Sequence, residues 1–205
     1  EEWSSPGRGL RRRSGKPMKV IIAPGNGCAD IMTSNWYGSL HRDLVNLGYE
    51  SICANFPDPY CARRSAWIPH LARLGADSGT VLVGHSSGAQ AALRYAEANP
   101  LHAVVLVSAT YTDLGDEGER ASGYYPSADG TENLYDFGAM RDNCPTWHQM
   151  HSDDDPFIPV AEAERVRDGL GIGDGCYHFL PGRSHFFEYG DDIKEVVLSC
   201  LRGNK

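Results

Sequence analysis

One hexapeptide limits the folds open to this chain more than any other feature: Val83-Gly84-His85-Ser86-Ser87-Gly88. It follows a short apolar run, Thr80 to Val83, and opens onto an alanine-rich stretch. A G-x-S-x-G pattern between strand and helix implies a sharp turn with the serine at its tip. The backbone of such a turn is strained and closely packed, so the serine's neighbours must lack bulky side chains. Gly84 and Gly88 supply that room. The turn lifts the Ser86 hydroxyl above the end of the strand. It also aims the first N–H groups of the next helix at negative charge forming nearby. The plain alternative is a glycine-rich turn with a capping serine.

From Met18 onward, short apolar runs alternate with helical patterns. Strands are predicted at Met18 to Ala23, Glu50 to Asn55, Thr80 to Gly84, Ala103 to Ser108, Thr146 to Met150 and Tyr177 to Leu180. Helices are predicted at Trp36 to Leu47, Ala62 to Leu74 (kinked or interrupted at Pro69), Ser87 to Asn99, Ala161 to Leu170 and Asp191 to Leu201. This alternation implies an α/β fold whose six-stranded, mainly parallel sheet is covered by helices on both faces. With the first strand central, the order is 2-1-3-4-5-6, the arrangement of a compact α/β-hydrolase. Ligands bind where such a sheet reverses direction, beyond the carboxyl ends of its strands. Residues 109 to 143 form one long irregular stretch, and its aromatics favour a small cap at about 110–140.

A length of 205 residues fits a single domain, expected to span 18–205. Residues 1–17 are rich in Gly, Ser, Pro and Arg and read as a disordered extension. The net charge of −8 argues against nucleic acid as a partner. No apolar run approaches the length of a membrane span. Six cysteines are scattered at 28, 53, 61, 144, 176 and 200, without a C-x-x-C pair. They read as free thiols, which favours a reducing compartment: the cytoplasm, with the nucleus also open. Neither metal-ligand spacing nor a cofactor motif is present, so no cofactor is expected.

A serine nucleophile needs a histidine base and a carboxylate that orients the histidine. In an α/β-hydrolase they occur in the order Ser, Asp or Glu, His. The acid is expected in His151-Ser152-Asp153-Asp154-Asp155-Pro156-Phe157-Ile158-Pro159, just past the fifth strand. Asp155 lies four residues before Pro159, the spacing of hydrolases with an H-G-x-x-D-x-x-V-P-like run, and Asp154 is the second choice. The base is expected at His185, after the last strand, in Pro181-Gly182-Arg183-Ser184-His185-Phe186-Phe187. His85 adjoins the nucleophile but is expected to point away from it. Oxyanion donors are expected at the backbone N–H of Ser87 and of Asn26, with Gly27 next, in the loop Pro24-Gly25-Asn26-Gly27. Trp36, Tyr37, Trp67, Tyr124 and Tyr125 are candidates to line the pocket, with core packing the competing reading for each.

The sequence resembles the retinoblastoma-binding protein 9 family of small serine hydrolases. The resemblance rests on Pro24-Gly25-Asn26-Gly27, Asn35-Trp36-Tyr37-Gly38, Phe56-Pro57-Asp58-Pro59 and Gly84-His85-Ser86-Ser87-Gly88-Ala89. It continues through Asp113-Leu114-Gly115-Asp116-Glu117, Arg120-Ala121-Ser122-Gly123-Tyr124 and Asp154-Asp155-Pro156-Phe157, and ends at His185-Phe186. It implies a Ser86–Asp155–His185 triad and a minimal sheet. Binding of the family's namesake partner goes with an L-x-C-x-E motif. Here Leu198-Ser199-Cys200-Leu201-Arg202 ends in Arg, so a retinoblastoma-type partner is not expected. The expected activity is hydrolysis of a small ester, thioester or amide, with an acyl or aminoacyl substrate. The competing reading is a protein-binding module on a hydrolase scaffold.

Overall fold

Three apolar runs, Lys19–Ala23, Thr80–His85 and Ala103–Val107, become central strands of one six-stranded sheet, and alternation along them divides the interior into two cores. The computed structural model describes residues 18–202, so the expected N-terminal extension lies outside the described residues. In chain order the elements are β1 (Lys19–Ala23), α1 (Tyr37–Asn46), β2 (Glu50–Ile52), α2 (Arg64–Arg73), β3 (Thr80–His85), α3 (Ser87–Ala96) and β4 (Ala103–Val107). There follow α4 (Glu117–Ser122), α5 (Phe137–Asn143), β5 (Trp147–Ser152), α6 (Val160–Leu170), β6 (Tyr177–Leu180) and α7 (Asp191–Arg202). The strand order is β2-β1-β3-β4-β5-β6. All pairs are parallel. This is the α/β-hydrolase arrangement expected from the sequence.

Ile21, Leu82, Val104 and Leu106 face one core, closed by Trp67 and Leu71 of α2, the alanine face of α3, and Val166 and Leu170 of α6. Val20, Ile22, Val81, Val83, Val105 and Val107 face the other, closed by Leu40 and Leu44 of α1 and by Ile193, Val197 and Leu201 of α7. Burial on both faces explains why these strands read as continuous apolar runs. Each such side chain removed from water contributes about 1.5–3 kcal/mol.

Three boundaries differ from expectation. β2 is only three residues long. Helix α2 carries Pro69 inside it and continues to Arg73. The segment between β4 and β5, expected to be irregular, contains two short helices. Each begins at an aspartate whose side chain accepts an N–H of the first turn, Asp116 from Glu119 and Asp136 from Ala139. The six cysteines are unpaired; Cys28, Cys144 and Cys200 are buried, Cys53 and Cys176 are half-buried and Cys61 is exposed.

Candidate active site

The turn after β3 shows why its residues are what they are. Ser86 has φ 54° and ψ −119°, a region that L-residues rarely occupy. The strain, of order 1–3 kcal/mol, is held on both sides. Ser86 N–H donates to the Val107 carbonyl at 2.9 Å, and the Ser86 carbonyl accepts the Ala89 N–H at 2.9 Å. A Cβ on Gly84 would collide with the Gly88 backbone, and one on Gly88 with the carbonyl oxygens of Ala23 and Pro24. The two glycines thus let α3 begin directly against the ends of β1 and β3.

The loop after β6 is strained as well. Gly182, Ser184 and Phe186 all have positive φ, and His185 sits between the last two. The segment after β5 pins this loop residue by residue. Asp153 accepts the Gly182 N–H at 3.0 Å. The Ser152 hydroxyl accepts the Arg183 N–H at 2.9 Å. Asp154 accepts the Ser184 N–H at 2.7 Å. Asp155 takes the His185 ring itself, with Oδ2 2.8 Å and Oδ1 3.1 Å from Nδ1. The three adjacent aspartates are therefore not rivals for one task. Asp154, the second choice for the acid, holds backbone.

The Asp155 carboxyl is fully enclosed. Burial pushes its pKa up, but the His185 ring and the N–H groups of Phe157 and Ile158 more than offset this, and it lies below the ordinary value. His185 is 5% exposed. Phe157 meets its ring edge-on at 5.0 Å between centroids, and Phe187 packs at 5.5 Å.

Ser86 and His185 open onto one cavity of about 640 Å³. Its wall includes Gly25 and Asn26 from the loop after β1 and Thr110, Thr112, Leu114, Asp116 and Glu119 from the β4–β5 segment. Of the expected oxyanion donors, Gly27 N–H is committed to the Pro59 carbonyl at 2.8 Å. Among the described residues, no acceptor is recorded for the N–H of Asn26 or Ser87. The Asn26 side chain is engaged with Glu119 at 3.2 Å.

The aromatic residues expected to line the pocket require correction. Only Tyr125 reaches the cavity. Trp36 and Tyr37 are buried in the α1/α7 core, and Trp67 and Tyr124 in the core on the opposite face. Their bulk and helical spacing served packing. The wall is instead made of Thr110, Thr112 and Leu114, with Phe157 and Phe187 beside His185. Phe157 and Phe187 flank the proposed acid and base in sequence, and that adjacency was the available signal. Nothing local marks the threonines.

His85 also differs from expectation. Its ring does not turn away from the site but lies 4.9 Å from the His185 ring, centroid to centroid. Nε2 donates to the His185 carbonyl at 2.8 Å, and Nδ1 is 2.5 Å from the Tyr37 hydroxyl. Burial, with His185 adding to it, pushes the His85 pKa down to about 3, so the ring is neutral at ordinary pH.

Sheet order, a strained serine between β3 and α3, and a histidine–carboxylate pair sharing its cavity define the α/β-hydrolase class. Comparison with known proteins narrows this. Serine hydrolase RBBP9 of Rattus norvegicus is 42% identical over 189 residues, covering 90% of this chain and 96% of the rat protein. The chain therefore belongs to the RBBP9 family of serine hydrolases. Among solved structures, the ydeN gene product of B. subtilis is similar with a TM-score of 0.76 at 20% identity, over 91% of this chain and 100% of that one. Esterase RhEst1 from Rhodococcus sp. ECU1013 has a TM-score of 0.56 at 13% identity, over 91% of each chain. At these identities both show the shared fold alone. No protein-family model matches the chain.

Proposed function

We propose that this chain is a cofactor-independent serine hydrolase that forms an acyl-enzyme on Ser86. The observation that carries the reading is the His185 ring, fixed to Asp155 at 2.8 Å and opening onto the same cavity as Ser86. His185 takes the proton of the Ser86 hydroxyl as its oxygen attacks a carbonyl carbon. Asp155 accepts from Nδ1, which leaves Nε2 as the base and stabilises the ring once it is charged. The N–H groups of Ser87 and Asn26 receive the oxyanion. His185 then returns the proton to the leaving alcohol, thiol or amine. Water, deprotonated by the same ring, releases the acid and restores Ser86.

The cavity volume suits a small substrate. In the segment that we read as a cap, Asp116 and Glu119 face this space. Their recorded partners are neutral donors: Glu119 N–H for Asp116, and the Asn26 amide and Tyr125 hydroxyl for Glu119. Carboxylates so placed favour an acyl group bearing an ammonium, as in an aminoacyl ester or amide, over a free carboxylic acid. The Leu and Cys of the nearest approach to L-x-C-x-E, Leu198 and Cys200, are buried on α7. This supports a reading in which no pocket-protein partner is engaged.

Labelling by a fluorophosphonate tests the assignment. Wild type is expected to be labelled, and Ser86→Ala to lose both labelling and turnover, the latter by about 10⁶-fold. Folded wild-type protein that takes no label would instead favour a binding module.

A further inference from the structure

We propose that Tyr37 and His85 are positioning residues for this hydrolysis, forming a one-way hydrogen-bond relay that ties the base loop to the oxyanion loop. The inference rests on the hydrolase reading above and goes beyond it, because neither side chain is part of the triad.

The direction of the relay follows from what each atom can do. The His185 carbonyl can only accept, so His85 Nε2, at 2.8 Å, carries the ring proton. His85 Nδ1 is then bare and accepts from the Tyr37 hydroxyl at 2.5 Å. The Tyr37 oxygen has used its proton and offers only lone pairs. It takes the Gly25 N–H at 2.9 Å and the Asn35 side-chain amide at 3.1 Å. Every group is satisfied in one arrangement, and reversing any bond leaves a buried donor or acceptor unpaired. Tyr37 and His85 are both closed to solvent. Tyr37 is also held well above its ordinary pKa by burial, so it remains a phenol.

The two ends of the relay give it a role in the chemistry. At one end is the peptide of Gly25, immediately before Asn26, whose N–H we assign to the oxyanion. Gly25 lies so close to Ser86 that a Cβ there would touch the serine Cβ at 3.4 Å. At the other end is the backbone of the base itself. The aspartates after β5 hold the N–H side of the 182–184 loop and the His185 ring. They do not touch the His185 carbonyl, which among the described residues only the relay holds. With Ser184 and Phe186 both at positive φ, the peptide after His185 needs that hold to keep the ring against the cavity it shares with Ser86. His85 is chain-adjacent to the nucleophile, so the relay references base and oxyanion donor to the serine itself.

The experiment compares wild type, Tyr37→Phe, His85→Leu and His85→Gln with a short-chain p-nitrophenyl ester, alongside fluorophosphonate labelling and thermal melting. Phe retains the ring of Tyr37 and loses only the hydroxyl. Gln can donate towards the His185 carbonyl and accept from Tyr37. Tyr37→Phe and His85→Leu are expected to lower kcat by roughly 10–100-fold. KM should stay near wild type, and His85→Gln should recover most of the loss. Labelling rates should fall in parallel with kcat. If Tyr37→Phe melts like wild type and turns over at the wild-type rate, the relay does not position anything. If kcat falls only in step with melting temperature and Gln does not restore it, the role is structural and the proposal fails. If wild type takes no label, the hydrolase reading fails and the relay with it. A labelled wild type with unaffected variants overturns the relay alone.

Discussion

The turn at Ser86 and the segment linking β4 to β5 both build the cavity, but they are held in different ways. The turn is fixed by backbone: the absent Cβ atoms of Gly84 and Gly88, and the amide and carbonyl of Ser86 bound to neighbouring strand and helix. The linking segment is fixed by a few long side chains. One oxygen of Glu162 on α6 accepts from the Thr110 hydroxyl, the Tyr111 N–H, and both the N–H and hydroxyl of Thr112. Arg94 on α3, whose side chain is 1% exposed, donates to the carbonyls of Tyr124, Asn133 and Leu134 and lies over the Tyr135 ring. Gln90, one helical turn before Arg94, donates to the Thr110 carbonyl and accepts from the Tyr135 hydroxyl. A geometry set by steric exclusion tolerates almost no change, whereas one set by separate polar anchors can be altered anchor by anchor. The first suits a reacting group whose position must not drift, the second a wall whose shape single substitutions can change.

Substitutions can break this contrast. The largest effect is expected among the aspartates after β5. Asp155→Asn should lower kcat by about 10⁴-fold, because the amide favours the wrong histidine tautomer. Asp154→Asn should leave far more activity, since it weakens the hold on the Ser184 N–H and the Ser152 hydroxyl and does not touch the His185 ring. Comparable losses from the two would show that the assignment of acid and anchor is wrong.

The next test sets one region directly against the other. Gly88→Ala forces a Cβ into the carbonyls of Ala23 and Pro24 and should cost about 3 kcal/mol, with fluorophosphonate labelling lost alongside. Arg94→Leu leaves several buried carbonyls without a donor and should cost a similar amount, about 3 kcal/mol. Its labelling should remain near wild type while KM rises. Urea unfolding and labelling rates on the same preparations would show whether stability and reactivity separate as the contrast requires.

The smallest effect depends on pH. Burial pushes the Glu162 carboxyl up, but the Thr112, Thr110 and Tyr111 donors outweigh it and hold the folded value below the ordinary 4.5. A depressed carboxylate stabilises the fold fully above its unfolded pKa, and the contribution is lost as pH falls through the folded value. Glu162→Gln should therefore cost about 1 kcal/mol near neutrality. The gap from wild type should close as pH drops below 4.5. Urea midpoints measured down the acid range would check the sign, and a gap that widens in acid would be inconsistent with it.

The same contrast explains what could be read from the sequence. The alternation of strands and helices, the serine turn and the segments that bring Asp155 to His185 depend on local patterns: apolar runs, two glycines at fixed spacing, a histidine after the last strand. These were legible because their causes are neighbours in the chain. The division of labour among Asp153, Asp154 and Asp155 was not legible, because it is decided by a loop about 30 positions away. Nor were the anchors of the linking segment. Gln90 and Arg94 gave a faint sign, as polar residues four apart in an alanine-rich helix, and both are buried. Trp36, Tyr37, Trp67 and Tyr124 misled because aromatic bulk looks alike in a core and on a pocket wall. Asp116 and Asp136 do mark helix starts inside the stretch expected to be irregular, each followed by a short helical run.

All six strands run the same way, so Ser86 and His185, each just past the end of a strand, open onto one rim of the sheet. The turns entering β2, β3 and β6, at Gly48, Gly75 and Asp174, belong to the opposite rim, and those at Gly48 and Asp174 are exposed. They are natural places to lengthen a loop, graft a reporter or tether the protein to a surface, with the cavity mouth left facing the medium.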